Sequence, residues 1–249
     1  MKISVVIPSY NRGHVLKWTI PTYIQDNVIE IIVVDDCSTD NTPQVLSELS
    51  AEYPMIKYLR NKENRRQCYS KNRGVENAVG DFVYFGDDDS YLLPGSMKVL
   101  SDTMTKYNCD VVMARPIFAG PNFRWKYRKQ YEKWRLNRMD KSNYDGPFDI
   151  ETMTPHWDRQ YPIPMEVPVC HACTLVKKEL AQACKFDENY IGCAYREETD
   201  FFFRLNLHFG AKMMFDSRAC QMNLPNYMVK SGGSRRGGGR NMEGNCNNL

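Results

Sequence analysis

Three acidic clusters in this 249-residue chain have the residue types and spacing to do chemistry: Asp35-Asp36 in IIVVDDCSTDNT, Asp87-Asp88-Asp89 in VYFGDDDSYLLPG, and Glu197-Glu198 in REETDFFFRL. Carboxylates held this close repel one another unless a cation sits between them, and their hard oxygens suit Mg2+ or Mn2+ bridging to phosphates. A solvated turn is the competing reading of the triplet, and a capped turn or helix start that of the two pairs. No GxGxxG follows the first apolar run and no GxxxxGK occurs, so the common dinucleotide and P-loop phosphate cradles are absent. Cys170-His171-Ala172-Cys173 has the spacing of half a zinc site, but no second CxxC follows, and buried thiols within a strand are expected instead.

Such side chains work only when a scaffold brings them together. The first 115 residues alternate β-rich runs, at Ile3–Ile7, Glu30–Val34, Ile56–Leu59, Asp81–Phe85 and Asp110–Ala114, with helix-like segments. This rhythm predicts an α/β fold with a mostly parallel central sheet and helices on both faces. Thr42 before Pro43 reads as an N-cap, Pro94-Gly95 opens a helix over SMKVLSDTM, and Pro21 either kinks the apolar stretch Val15–Ile24 or divides it. Val169–Val176 reads as a further strand, EETDFFFRLNLHFG as a helix ending at Gly210, and Ala211–Phe215 as another strand. Open parallel sheets present ligands beyond the C-terminal ends of their strands, which here carry Pro8-Ser9-Tyr10-Asn11, Asp35-Asp36 and the aspartate triplet. The acidic groups therefore converge on one rim.

Composition narrows the partners. A net charge of +3 is too small for global attraction to nucleic acid to define the function, so no nucleic-acid partner is expected. No run approaches the roughly 18 apolar residues of a membrane helix, and the N-terminus lacks a signal-peptide layout, so the expected location is cytoplasmic. Nine cysteines, odd in number and dispersed, point to reduced thiols rather than a disulfide scaffold.

In order and spacing, VVIPSYNR, IIVVDDCSTDNT, SKNRGVENAVGDFVYFGDDDSYLLPG and FDENYIGCAYREETDFFFRL resemble the family-two glycosyltransferases of the GT-A fold, over about residues 1–115 and 169–224. The resemblance implies a nucleotide-sugar donor, a Mn2+ or Mg2+ ion and an inverting transfer to a glycan or lipid-linked hydroxyl. It places Pro8, Tyr10 and Asn11 in the nucleoside pocket, with Asp36 accepting hydrogen bonds from the base and Asp35 beside it. A carboxylate acceptor at that position favours the imide N–H of uracil or thymine. Arg65 or Arg66, with Lys71 and Asn72, would contact the donor, although KNRG stands where the family more often has ARNxG. Asp87 would meet the ribose or sugar and Asp89 the metal, with Asp88 between; the triple Asp leaves the register open by one, which makes Asp87 a second metal candidate. The general base falls in the pair Glu197-Glu198, with Glu198 favoured, whereas Asp200 and Arg204, one helical turn apart, read as a structural ion pair. Relatives often carry a metal-binding histidine where this chain aligns Asn223.

Residues 1–230 thus read as one domain: a nucleotide-sugar half to residue 115, an insertion over 116–168 and a catalytic half over 169–230. The insertion mixes Arg124, Lys126, Arg128, Lys129, Lys133, Arg135 and Arg138 with Phe123, Trp125, Tyr127, Tyr131 and Trp134. It reads as an acceptor platform, as an interfacial helix making peripheral contact with an anionic membrane, or as an amphipathic helix packing its aromatic side on the sheet. Residues 231–249 are a Gly/Arg/Asn-rich tail whose Arg235 and Arg236 are candidates to close over a diphosphate. Two enzyme readings compete, sugar transfer and nucleotidyl transfer; a non-catalytic nucleotide-sugar binder and a nucleic-acid binder are the alternatives outside catalysis.

Overall fold

The computed structural model describes residues 1–137, 146–190 and 196–229. Strands β1 (Ile3–Ser9) and β2 (Val28–Asp35) are Ile/Val-rich and almost entirely buried, the pattern of parallel strands covered on both faces. Helix α1 (Gly13–Thr19) follows β1 and passes into a 3-10 turn at Ile20–Tyr23, so Pro21 divides the apolar stretch and sits where a helix start tolerates a missing N–H. Then come α2 (Thr42–Glu52), β3 (Ile56–Arg60), α3 (Arg66–Asn77), β4 (Phe82–Phe85), β5 (Ser90–Leu92), α4 (Ser96–Tyr107) and β6 (Val111–Phe118). The insertion holds a 3-10 turn at Trp125–Tyr127, α5 (Arg128–Asn137), a small ladder of β7 (Phe148–Asp149) with β8 (Thr154–Pro155), and β9 (Met165–Glu166). The chain continues through β10 (Thr174–Lys177), α6 (Lys178–Cys184), α7 (Glu197–Phe209) and β11 (Met213–Asn223).

The main sheet has nine strands in the order β3-β2-β1-β4-β10-β6-β11-β5, with β9 also on β11. Six strands run the same way; β10, β5 and β9 run opposite. β10 lies between β4 and β6, so a strand from the last third of the chain closes a gap in the middle of the sheet. Register sets the rim: Ser9 pairs with Asp35 and Val6 with Phe85, which brings the turns after β1, β2 and β4 to one edge.

Three sequence expectations change. The strand expected at 169–176 begins only at Thr174, because Cys173 takes a left-handed φ of 60° that breaks the ladder, so the CHAC segment precedes the strand instead of lying within it. The last strand runs to Asn223, past a register shift between Asp216 and Cys220 that absorbs extra residues as a bulge. Thr42 does not cap its own helix; its hydroxyl accepts the Arg12 and Gly13 amides at 2.9 and 2.8 Å and so satisfies the start of α1. Gly210 ends α7 in the left-handed conformation, as its position predicts.

Helices lie on both faces. Gly74 of α3 packs on the Val6 side chain, whereas the next residue of β1, Ile7, faces Tyr23 and Gly86 on the other side. A Cβ at position 74 would collide with Val6, so Gly74→Ala should cost about 1–3 kcal/mol through overpacking. Urea denaturation checks this, and an unchanged midpoint would contradict the close α3–β1 contact.

Candidate active site

The aspartate triplet follows β4 and sits against a residue that its sequence surroundings do not mark out. Arg12, 2% exposed, directs Nε to Asp88 Oδ1 at 3.2 Å, NH2 to Asp89 Oδ2 at 3.5 Å and NH1 to the Val229 carbonyl at 3.3 Å. Burial raises the Asp88 pKa while Arg12 pulls it back. Asp87 is held from the other side: Gln221 Nε2 donates to its Oδ2 at 3.0 Å, and Tyr84 donates to Gln221 Oε1 at 2.9 Å. Burial above all, then the charges of Glu198 and Asp89, push Asp87 well above the usual carboxylate range. Asp89 lies beside Asn223, with Ser90 Oγ 2.8 Å from Asn223 Oδ1 and 3.4 Å from Asp89 Oδ1.

The nucleoside side is a loop tied to itself. Asn11, with φ 55°, accepts the Thr39 amide on Oδ1 at 2.7 Å, and its own amide donates to Ser38 Oγ at 2.8 Å. Asn tolerates the left-handed region because its short polar side chain bonds locally. Pro8 and Tyr10 beside it are half-buried. Asp35 accepts the Ser38 amide at 2.8 Å and pairs with Arg60 at 2.6 Å. Asp36 accepts Asn61 Nδ2 and the Arg65 amide on Oδ1 and the Arg66 amide on Oδ2, each at 2.8 Å, so it anchors the start of α3. Arg66 is exposed; Arg65 stacks 4.4 Å over Tyr69 and reaches Glu188 at 3.5 Å. Asn72, expected to meet the donor, instead bonds the Phe186 backbone through both its amide nitrogen (2.9 Å) and oxygen (2.8 Å), holding α3 to the segment before α7.

Lys71 has a different neighbourhood from the one its donor-contact role implies. Its ammonium, 2% exposed, lies 2.7 Å from Glu198 Oε1 and 3.1 Å from Glu197 Oε1, and 4.8 Å over the Phe186 ring. The two glutamates form the first turn of α7, where the helix dipole also favours negative charge. His171 Nε2 lies 3.4 Å from the second oxygen of Glu198, and Gln67 donates to Glu197. Burial opposes the Lys71 charge, but Glu198 and Glu197 hold its pKa above the ordinary value. Burial alone would raise Glu198, yet Lys71 and His171 draw it down to about 2; burial and then Glu198 push Glu197 up to about 7.

Among the described residues no three His, Cys, Asp or Glu side chains converge to hold a metal. Asp89 with Asn223 nevertheless offers hard oxygens at one spot, a donor set that fits Mg2+ or Mn2+ if the ion takes its remaining ligands from phosphate and water. Cys170 and Cys173 are free, buried thiols raised in pKa by desolvation. Asp200 and Arg204 make the expected ion pair at 2.7 Å. Arg138, Cys193, Arg235, Arg236 and the tail over 231–249 lie outside the described residues. The members that sequence reasoning missed, Arg12, His171 and Gln221, had weak signals: an arginine directly after Asn11, a histidine discounted with the zinc motif, and a glutamine two residues before Asn223.

Glu197 keeps its proton in the native state up to a pH where the unfolded chain, near the ordinary 4.5, has already released it. Stability drawn from this group is therefore present at acid pH and lost as pH rises from about 5 to about 7. Glu197→Gln, neutral throughout, should remove that fall, so its stability relative to wild type should climb between pH 5 and 7 and level off above. Denaturation at four pH values checks the sign.

Residues 4–156 match the model of the family described as glycosyl transferase family 2. An uncharacterized glycosyltransferase of Escherichia coli, YibD, is 29% identical over 147 residues, 58% of this chain and 40% of the relative. A GalNAc(5)-diNAcBac-PP-undecaprenol beta-1,3-glucosyltransferase of Campylobacter jejuni is 37% identical over 102 residues, 40% of this chain and 33% of the relative. The crystal structure of Staphylococcus aureus TarS 1-349 in complex with UDP superposes with a TM-score of 0.63 at 18% identity, over 92% of this chain and 62% of that one, which shows a shared GT-A fold. The chain thus spans less than two thirds of each of these proteins. With the family match reaching across more than half its length, from β1 into the insertion, the chain belongs to glycosyl transferase family 2.

Proposed function

We propose that the protein transfers a sugar from a nucleoside-diphosphate sugar to a hydroxyl acceptor with inversion at the anomeric carbon. The observation that carries this reading is Glu198: a buried carboxylate kept ionised by Lys71 and close enough to Asp87 for its charge to raise that group. A proton acceptor and an acidic rim suited to a metal-bound diphosphate then lie near one another. UDP or dTDP is the favoured donor nucleotide. Asp36 spends three of about four acceptor directions on the protein, and the one remaining on Oδ2 suits an imide N–H. The UDP complex of TarS and the polyprenol-linked acceptor named for the Campylobacter relative support a uridine donor and a lipid-linked or glycan acceptor.

Glu198 orients the acceptor hydroxyl and removes its proton. With a pKa near 2 it is a weak base toward a free alcohol, but the hydroxyl becomes strongly acidic as its oxygen bonds to the anomeric carbon, so proton transfer follows late in the attack. Lys71 keeps the carboxylate charged and pointed, and Arg12 fixes Asp88 and Asp89 at the rim. A Mg2+ or Mn2+ ion held by Asp89, with Asp87 and Asn223 alongside, would supply positive charge to the departing diphosphate.

Glu198→Gln should lower kcat by roughly 10²–10⁴ while leaving donor affinity near wild type, and because it removes a charged partner of the buried Lys71 ammonium its melting temperature should also fall. Glu197→Gln should be milder in turnover. Near-normal kcat in Glu198→Gln would remove it as the base. Calorimetry of UDP, dTDP and GDP with and without Mn2+ tests the donor side: Asp89→Ala should abolish the Mn2+-dependent gain in UDP or dTDP affinity. Release of pyrophosphate in place of a nucleoside diphosphate would mark a nucleotidyltransferase.

A further inference from the structure

Between Arg124 and Asn137 the insertion carries six cationic side chains and one acid, a local charge of +5 in a chain whose total is +3. The rest of the protein is therefore net negative, and the positive charge is concentrated here. Arg124, Lys126, Lys129 and Lys133 are all exposed. The acid, Glu132, is half-buried and bonds the Tyr91 hydroxyl, and one carboxylate leaves most of this positive charge unbalanced within the segment.

Aromatic rings run beneath and through this face. Trp18 stacks on Trp125 at 5.9 Å, Trp125 meets Phe123 at 6.4 Å, Phe123 meets Tyr131 at 5.1 Å and Tyr131 meets Trp134 at 5.4 Å. Phe123 is fully buried and anchors the ladder to the body, so packing accounts for the inner rings. The outer rings still present much of their surface to water, Tyr127 55% and Trp134 45% exposed, among the exposed lysines.

We propose that this face docks on an anionic lipid bilayer. Lysines meeting acidic headgroups provide the attraction, and amphipathic Trp and Tyr rings settle at the depth where one side is apolar and the other wet. A soluble polyanion would use the cations but would leave Tyr127 and Trp134 in water, which is why the bilayer fits better. Position agrees: Tyr91, two residues after Asp89, packs 5.1 Å from Trp125, so the face adjoins the acidic rim. The proposal deepens the transferase reading by bringing the rim to acceptors held in lipid, but its test requires no turnover.

The full chain is sedimented with vesicles of phosphatidylcholine alone or with about one third phosphatidylglycerol. Wild type should bind only the anionic vesicles, and Lys126→Gln/Lys129→Gln/Lys133→Gln should bind about 100-fold more weakly, each neutralised lysine lowering the affinity roughly fivefold. Brominated lipid should quench tryptophan fluorescence in wild type and much less in Trp134→Phe. If the triple variant fails to fold, rising salt on wild type reads the same electrostatic dependence, and binding indifferent to salt overturns the proposal. Absence of vesicle binding overturns it, as does undiminished binding by a folded triple variant. Tight polyphosphate binding without bromine quenching makes the face a polyanion site and overturns it too. Calorimetric UDP binding, measured alongside, reports separately on the donor site.

Discussion

Lys71 is a buried ammonium that must be neutralised where it stands, and the two glutamates that meet it, with Glu198 as the ionised one, open α7, more than 120 residues later in the chain. A charge withdrawn from water this completely persists only when paired, because the desolvation cost exceeds what an isolated ion recovers. That requirement ties α3 to α7. Asn72, the next residue, reinforces the joint through the Phe186 backbone, and Phe186 itself stacks on Phe201 at 4.1 Å. The position of the proposed base is thus a consequence of where a cation has been buried.

Arg12 plays the corresponding part at the rim. The charge of Asp89 helps raise the pKa of both Asp87 and Asp88, and without a fixed cation carboxylates this close would protonate or spread. Arg12 meets two of them and also holds the Val229 carbonyl, so the turn after β1, the triplet and the segment after β11 share one guanidinium. Arginine suits this work because its planar, permanently charged fork directs several donors at once.

The insertion shows how one segment satisfies two demands. Its inner rings complete a core around Tyr91, Ile117, Met222 and Leu224, and its outer residues carry concentrated positive charge. Short aromatic steps keep α5, in which none of the residues 128–136 is fully buried, attached to the sheet. No helix among the described residues is long and apolar enough to cross a membrane.

Local pattern was enough to establish the β-rich runs, the division at Pro21, the glycine stop at 210 and the convergence of Asp35-Asp36 and Asp87–Asp89 on one rim, because apolar periodicity and turn chemistry act over a few residues. It placed Asp200 and Arg204 correctly for the same reason, since one helical turn relates them. Tertiary structure alone decided the insertion of β10 between β4 and β6, the bulge that lengthens β11, and the transfer of the Thr42 hydroxyl from its own helix to the start of α1. It also decided which charges meet. Nothing near Lys71 in sequence announces Glu197 and Glu198, and nothing near Arg12 announces Asp88, because ion pairs between distant segments are chosen by the desolvation cost of the assembled interior, which exists only once the chain has closed around them.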